Sequence, residues 1–200
     1  MPALHRRWTA EAVRSLMDEL RPWPRYELID GELLVTPAPG SPHQLAVGEI
    51  HVLLMAYVDR EQVGVTFLSP ADLELKEDSI TQPDVFVAPG GPGGDDGPLP
   101  WSLIKALLLA VEVLSPSSLR TDRVIKRDYF MESKVDEYWV VDIDACAIER
   151  WTPGRQTPLV NRDLLSWQPR AATEPLVIDL PALFARIREK IRITRGYSWA

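Results

Sequence analysis

Residues 107–115 read Leu107-Leu108-Leu109-Ala110-Val111-Glu112-Val113-Leu114-Ser115, an almost unbroken apolar run with a single acid near its end. A half-exposed strand alternates polar and apolar residues, whereas a strand covered on both faces reads as a continuous aliphatic run. Leu107 to Val113 is therefore expected to be a central strand with other elements packed above and below it. An ionised carboxylate in such surroundings is costly unless a cation, a hydrogen-bond donor or a raised pKa compensates it. Glu112 must have a partner. From this stretch alone two outcomes stay open: a structural acid, either at an exposed strand end or paired with an arginine, or a functional acid.

The flanks supply the rest of a sheet. Upstream, Val63–Leu68, Asp72–Leu75 and Asp84–Val87 read as strands, and the Gly90–Pro100 segment as a loop. Downstream, Thr121–Ser133 reads as a helix, Tyr138–Ile143 and Ala147–Thr152 as strands, and Leu159–Ile178 as irregular β structure. At the start, Thr9 is the expected N-cap of a helix to about Leu20, stopped by Pro22 and Pro24. A hairpin follows, Tyr26–Ile29 and Glu32–Thr36 turning through Asp30-Gly31. Ser41 or Pro42 opens a long helix to about Arg60, and Pro181 starts a terminal amphipathic helix to about Thr194. This order predicts an α/β or α+β architecture, a mixed β-sheet flanked by helices.

With 200 residues, one domain is expected, its core at about residues 11–151 and residues 152–200 forming a β extension and a basic helix. A composition of 46% hydrophobic and 26% charged residues excludes wholesale disorder and collagen-like sequence. Cys146 is the only cysteine, so no intrachain disulfide forms, and a cytoplasmic location is expected. No apolar stretch reaches the length of a bilayer span, and residues 1–20 do not read as a secretory signal. The net charge of −7 argues against a polyanion partner, although residues 181–200 hold five bases and one acid, a local surplus of +4. A second basic knot comprises Arg120, Arg123, Lys126 and Arg127.

Asp84 follows Pro83 at a strand start, and together with Glu112 it would form a hard oxygen site of the kind Mg²⁺ or Mn²⁺ accepts. Glu27 on the hairpin is a candidate third carboxylate. His43, at the start of the long helix, is a candidate phosphate contact or cap. His43 and His51 are too far apart in sequence to form a zinc pair on one helical turn. No P-loop, nucleophile elbow, paired-cysteine motif or dinucleotide fingerprint occurs.

The segments Tyr26-Glu27-Leu28-Ile29-Asp30-Gly31-Glu32-Leu33, Ser41-Pro42-His43, Gln82-Pro83-Asp84-Val85, Val111 to Ser118, Lys126 to Tyr129 and Glu137 to Asp142 resemble the Uma-type family, classed with restriction endonucleases in the PD-(D/E)XK nuclease superfamily. The resemblance runs in the right order from Glu11 to Trp151. It implies a restriction-endonuclease-like fold and a metal-dependent endonuclease acting on DNA. Asp84, Glu112 and the carbonyl of Val113 would hold Mg²⁺ (or Mn²⁺). The superfamily's basic motif places a lysine two residues after the acid, where this chain has Leu114. The resemblance assigns that role to Lys126 on the following helix, with Asp122 and Tyr129 on the same face at i, i+4 and i+7 spacing. Cutting both strands needs two sites, so a homodimer is expected. The rival expectation is a non-catalytic nucleic-acid-binding or protein-interaction module with a nuclease-like fold, favoured by the acidic charge and by Leu114.

Overall fold

The computed structural model describes residues 7–17, 24–90 and 100–196. The expected end of the first helix at Leu20, its stop at Pro22 and most of the Gly90–Pro100 loop lie outside the described residues. Helix α1 (Ala10–Met17) is capped by Thr9, whose hydroxyl accepts the Ala12 N–H at 3.3 Å. The hairpin comprises β1 (Arg25–Ile29) and β2 (Glu32–Thr36). Its turn holds Asp30 and Gly31 at φ of 51° and 81°, the left-handed pair a two-residue hairpin requires. Helix α2 (Ser41–Glu61) follows, with Pro42 in its first turn, where the missing N–H has no intrahelical partner to lose.

The main sheet has six strands in the order β3 (Gly64–Leu68), β4 (Val85–Pro89), β5 (Leu109–Val113), β6 (Tyr138–Asp142), β7 (Ala147–Trp151) and β8 (Leu159–Asn161). Only the β5–β6 pair is parallel. Between these two strands lie a π-helical turn (Thr121–Lys126) and helix α3 (Arg127–Glu132). Strands β9 (Leu164–Trp167) and β10 (Leu176–Asp179) pair separately, and α4 (Leu180–Gly196) ends the described chain. The mixed sheet flanked by helices is the architecture the sequence predicts.

The aliphatic run is covered on both faces, and every residue of β5 is buried. Leu109, Val111 and Val113 join Leu54 of α2 and Leu183 and Phe184 of α4 in one core. Ala110 and Leu114 join Phe86, Tyr129, Phe130 and the hairpin's Leu34 in the other. Strand alternation therefore sends Glu112 to the hairpin and α3 side.

Three expectations are corrected. Asp72–Leu75 is not a strand: only Leu73 pairs, exchanging backbone bonds with Thr81, because the chain reverses between Lys76 and Ser79 with Asp78 at φ 50°. Thr121–Ser133 is not one α-helix, because its first six residues take the wider π turn. The basic tail is not a free cationic face. Arg186 and Lys190 both bind Glu49 of α2, Arg192 binds Glu189, and Arg188 reaches Cys146. Arg186 and Lys190 tie α4 to α2 through Glu49, and the Arg192–Glu189 pair lies within α4 itself.

Candidate active site

The β4–β5 register pairs Val85 with Val111 and Phe86 with Ala110, so one step further places Asp84 opposite Glu112. Both acids point to the same sheet face, and the Val113 N–H donates to Asp84 Oδ2 at 2.9 Å. His43, in the first turn of α2, approaches the same oxygen with Nε2 at 3.0 Å. Arg25 of β1 stands 3.9 Å from Asp84 Oδ1. Lys126, at the end of the π turn, places Nζ 2.7 Å from Glu112 Oε1 and 2.8 Å from Glu27 Oε2. The ammonium thus lies beside Glu112, while Leu114 packs in the apolar core with Phe86 and Phe130. Asp122 joins the group from the start of the same turn.

Glu27, Asp84, Glu112, Asp122 and Lys126 are each between 2% and 8% exposed. They line the floor of a cavity of about 350 Å³, walled by the hairpin on one side and the Ser115–Ser118 turn on the other. Burial acts to raise the Asp84 carboxyl, but His43, the Val113 N–H and Lys126 outweigh it and hold Asp84 below its ordinary value. Burial dominates at Glu112, where Asp84, Asp122 and Glu27 add like charge, and its carboxyl lies well above the ordinary value despite Lys126. Asp122 is pushed up to about 6 by burial, against the pull of Lys126 and Ser118. Burial opposes charge on Lys126, yet Glu112, Glu27 and Asp122 hold its pKa well above normal. Two permanent cations, Arg25 and Lys126, face four carboxylates in the cavity. That imbalance favours protons or an added cation.

Among the described residues no group of three His, Cys, Asp or Glu side chains forms a metal cage. The donors are oxygens: Asp84 Oδ1 and Glu112 Oε2 are left without a hydrogen bond among the described residues, and Val113 lines the cavity. This set fits Mg²⁺, which binds through one or two carboxylates and keeps several waters, and does not fit zinc.

The structure does not bring Tyr129 to this group. Its ring is fully buried and its hydroxyl lies 2.7 Å from Ser79 Oγ, away from the cavity lining. The i, i+4, i+7 face fails because Asp122 and Lys126 lie in the π turn and Tyr129 in the α-helix that follows, so the three do not share one α-helical spacing. Tyr129→Phe is expected to cost about 1 kcal/mol of stability in urea denaturation, the loss of one hydrogen bond, with metal affinity unchanged in calorimetry. Asp122, named in the sequence only as a partner on the Lys126 face, emerges as a buried member of the site.

The mixed sheet thus brings an Asp just ahead of one strand, a Glu on the next and a lysine from the following turn together at one cavity. The solved structure of "a putative nuclease belonging to DUF820" from Anabaena variabilis ATCC 29413 shares this fold, with a TM-score of 0.72 at 20% identity, covering 88% of this chain and 98% of that one. The profile of the Uma2 family, described as "Putative restriction endonuclease", matches residues 11–181, and the chain belongs to that family. No curated protein matches the chain. Among the described residues no helix is long and apolar enough to cross a membrane.

Proposed function

We propose that this protein is a Mg²⁺- or Mn²⁺-dependent endonuclease that hydrolyses phosphodiester bonds in DNA. The observation that carries the reading is the convergence of Asp84, Glu112 and Lys126 from three separate segments on one cavity floor, with Lys126 Nζ 2.7 Å from Glu112. Asp84 Oδ1, Glu112 Oε2 and the Val113 carbonyl would hold the metal. A bound divalent cation supplies polarisation of the scissile phosphate and a lowered pKa for the attacking water.

The remaining work falls to the chain. The His43 ring and the Val113 N–H fix the Asp84 carboxylate by its other oxygen, Oδ2. Lys126 presents an ammonium, held protonated by its carboxylate neighbours, to the phosphate oxygens as charge develops on them. The lysine missing at Leu114 is thereby supplied from the π turn, which favours the catalytic reading over the binding module. We further propose one domain over residues 1–200 acting as a homodimer, since two strands call for two sites. The single cysteine supports a cytoplasmic location.

The test is calorimetric titration of Mg²⁺ and Mn²⁺ into the wild-type protein beside a plasmid-nicking assay with and without EDTA. Metal binding together with EDTA-sensitive nicking is expected. Binding without cleavage of any nucleic acid would favour the binding module, and absence of metal binding would remove the mechanism. Light scattering should give twice the chain mass.

A further inference from the structure

We infer that Glu27 is a positioning residue that keeps the Lys126 ammonium beside the Asp84–Glu112 pair when Glu112 turns from the ammonium to a divalent cation. This rests on the metal-dependent reading above and adds a role that the reading does not contain. In the described structure Lys126 Nζ is shared between Glu112 Oε1 at 2.7 Å and Glu27 Oε2 at 2.8 Å. An ammonium and a divalent cation compete for one carboxylate, and a four-carbon side chain released by Glu112 would be free to swing away. Glu27 provides the second anchor.

Glu27 is suited to that task because it is itself fixed. Its other oxygen accepts the Gln82 N–H at 2.8 Å and the Thr81 hydroxyl at 3.2 Å. Its neighbour Leu28 exchanges two backbone hydrogen bonds with Ile80, at 2.8 and 2.9 Å, which locks β1 to the segment leading into Asp84. Both Glu27 oxygens are thus occupied, whereas Glu112 Oε2 and Asp84 Oδ1 carry no hydrogen bond among the described residues, Asp84 Oδ1 having only the Arg25 guanidinium at 3.9 Å. The expected third carboxylate is therefore better read as the lysine's anchor than as a metal ligand. Glu27 also offsets the relocation of the lysine. A lysine on β5 would be aligned by the strand, while one arriving from the π turn needs a stop on the far side of the cavity, where the hairpin stands.

The experiment is a double-mutant cycle read by Mg²⁺ or Mn²⁺ calorimetry on the full chain, with no turnover required. Glu27→Gln keeps an oxygen for Gln82 and Thr81 but loses the ion pair, so Lys126 clings to Glu112 and metal binding is expected to weaken about tenfold. Lys126→Met removes the competitor, and it should tighten metal binding by a factor at least about threefold larger in the Glu27→Gln background than in the wild type. Glu27→Asp keeps the charge but shortens the reach, and it should weaken binding as Glu27→Gln does. If Glu27→Gln melts below the assay temperature, Glu27→Asp carries the cycle.

An equal effect of Lys126→Met in both backgrounds, or wild-type affinity in Glu27→Asp, overturns the inference, because a remote charge would then suffice. Those outcomes leave the nuclease reading standing. A wild-type protein that binds no metal overturns both.

Discussion

Asp84→Ala/Glu112→Ala is expected to abolish the proposed metal binding and to lower plasmid nicking by on the order of 10³-fold or more. The size of the effect follows from the donor inventory. Among the described residues, the carboxylate oxygens without hydrogen bonds that face each other across the β4–β5 register belong to these two acids. Without them Lys126 still has Glu27, so an ammonium remains in place with nothing to hold a cation opposite it. Asp84→Asn sharpens the test. Its amide oxygen can still accept from Val113 N–H, so local geometry survives while the charge is lost. Nicking that stays low in Asp84→Asn, with an unchanged melting curve, assigns the loss to chemistry. Nicking at the wild-type level in the double variant would show that the phosphodiesterase centre lies elsewhere.

Lys126→Met has the largest expected effect on stability, about 3–5 kcal/mol at pH 8 in urea denaturation. Methionine fills a similar volume, so the cost is electrostatic: Glu27 and Glu112 stay buried and lose the ammonium that pairs with both of them. The pH dependence has a definite sign. An acid whose pKa is higher in the folded than in the unfolded protein binds more protons when folded, so stability falls as pH rises through that range. Glu112 is such an acid in the wild type through burial, and losing Lys126 removes the main force opposing the rise. The penalty of Lys126→Met is therefore smaller at pH 5 than at pH 8, where Glu112 is driven to ionise. Excess Mg²⁺ should add about 2.7 kcal/mol to the variant's stability at a hundredfold excess over its Kd, and should narrow the gap to the wild type as far as the variant, freed of the competing ammonium, binds the cation more tightly. A loss equal at both pH values and untouched by Mg²⁺ would mean that the lysine acts through packing alone.

The fold was legible wherever the local pattern and the tertiary environment agree. Leu107–Val113 showed a strand buried on both faces, and Asp30-Gly31 a tight hairpin turn, because backbone sterics and apolar burial act at the scale of a few residues. Asp72–Leu75 looked equally strand-like, yet forms a single bridge, since strand pairing depends on a partner that local composition does not name. The basic run at residues 186–192 was visible as charge. That Glu49, more than a hundred residues away, consumes two of those cations was not.

The site divides in the same way. The sequence by itself determined that Glu112 needs a partner, because an acid inside an aliphatic run cannot be left unpaired, and offered Asp84 after Pro83 as a second acid, while the resemblance drew attention to Lys126. Only the tertiary structure decided who stands beside whom. The β4–β5 register sets Asp84 opposite Glu112, and the π turn swings Lys126 and Asp122 inward while turning Tyr129 into the core. The hairpin carries Glu27 to the far side of the ammonium. Register, a widened turn and the docking of a hairpin are long-range packing outcomes, settled by which apolar faces can be buried together, and no spacing within one segment encodes them.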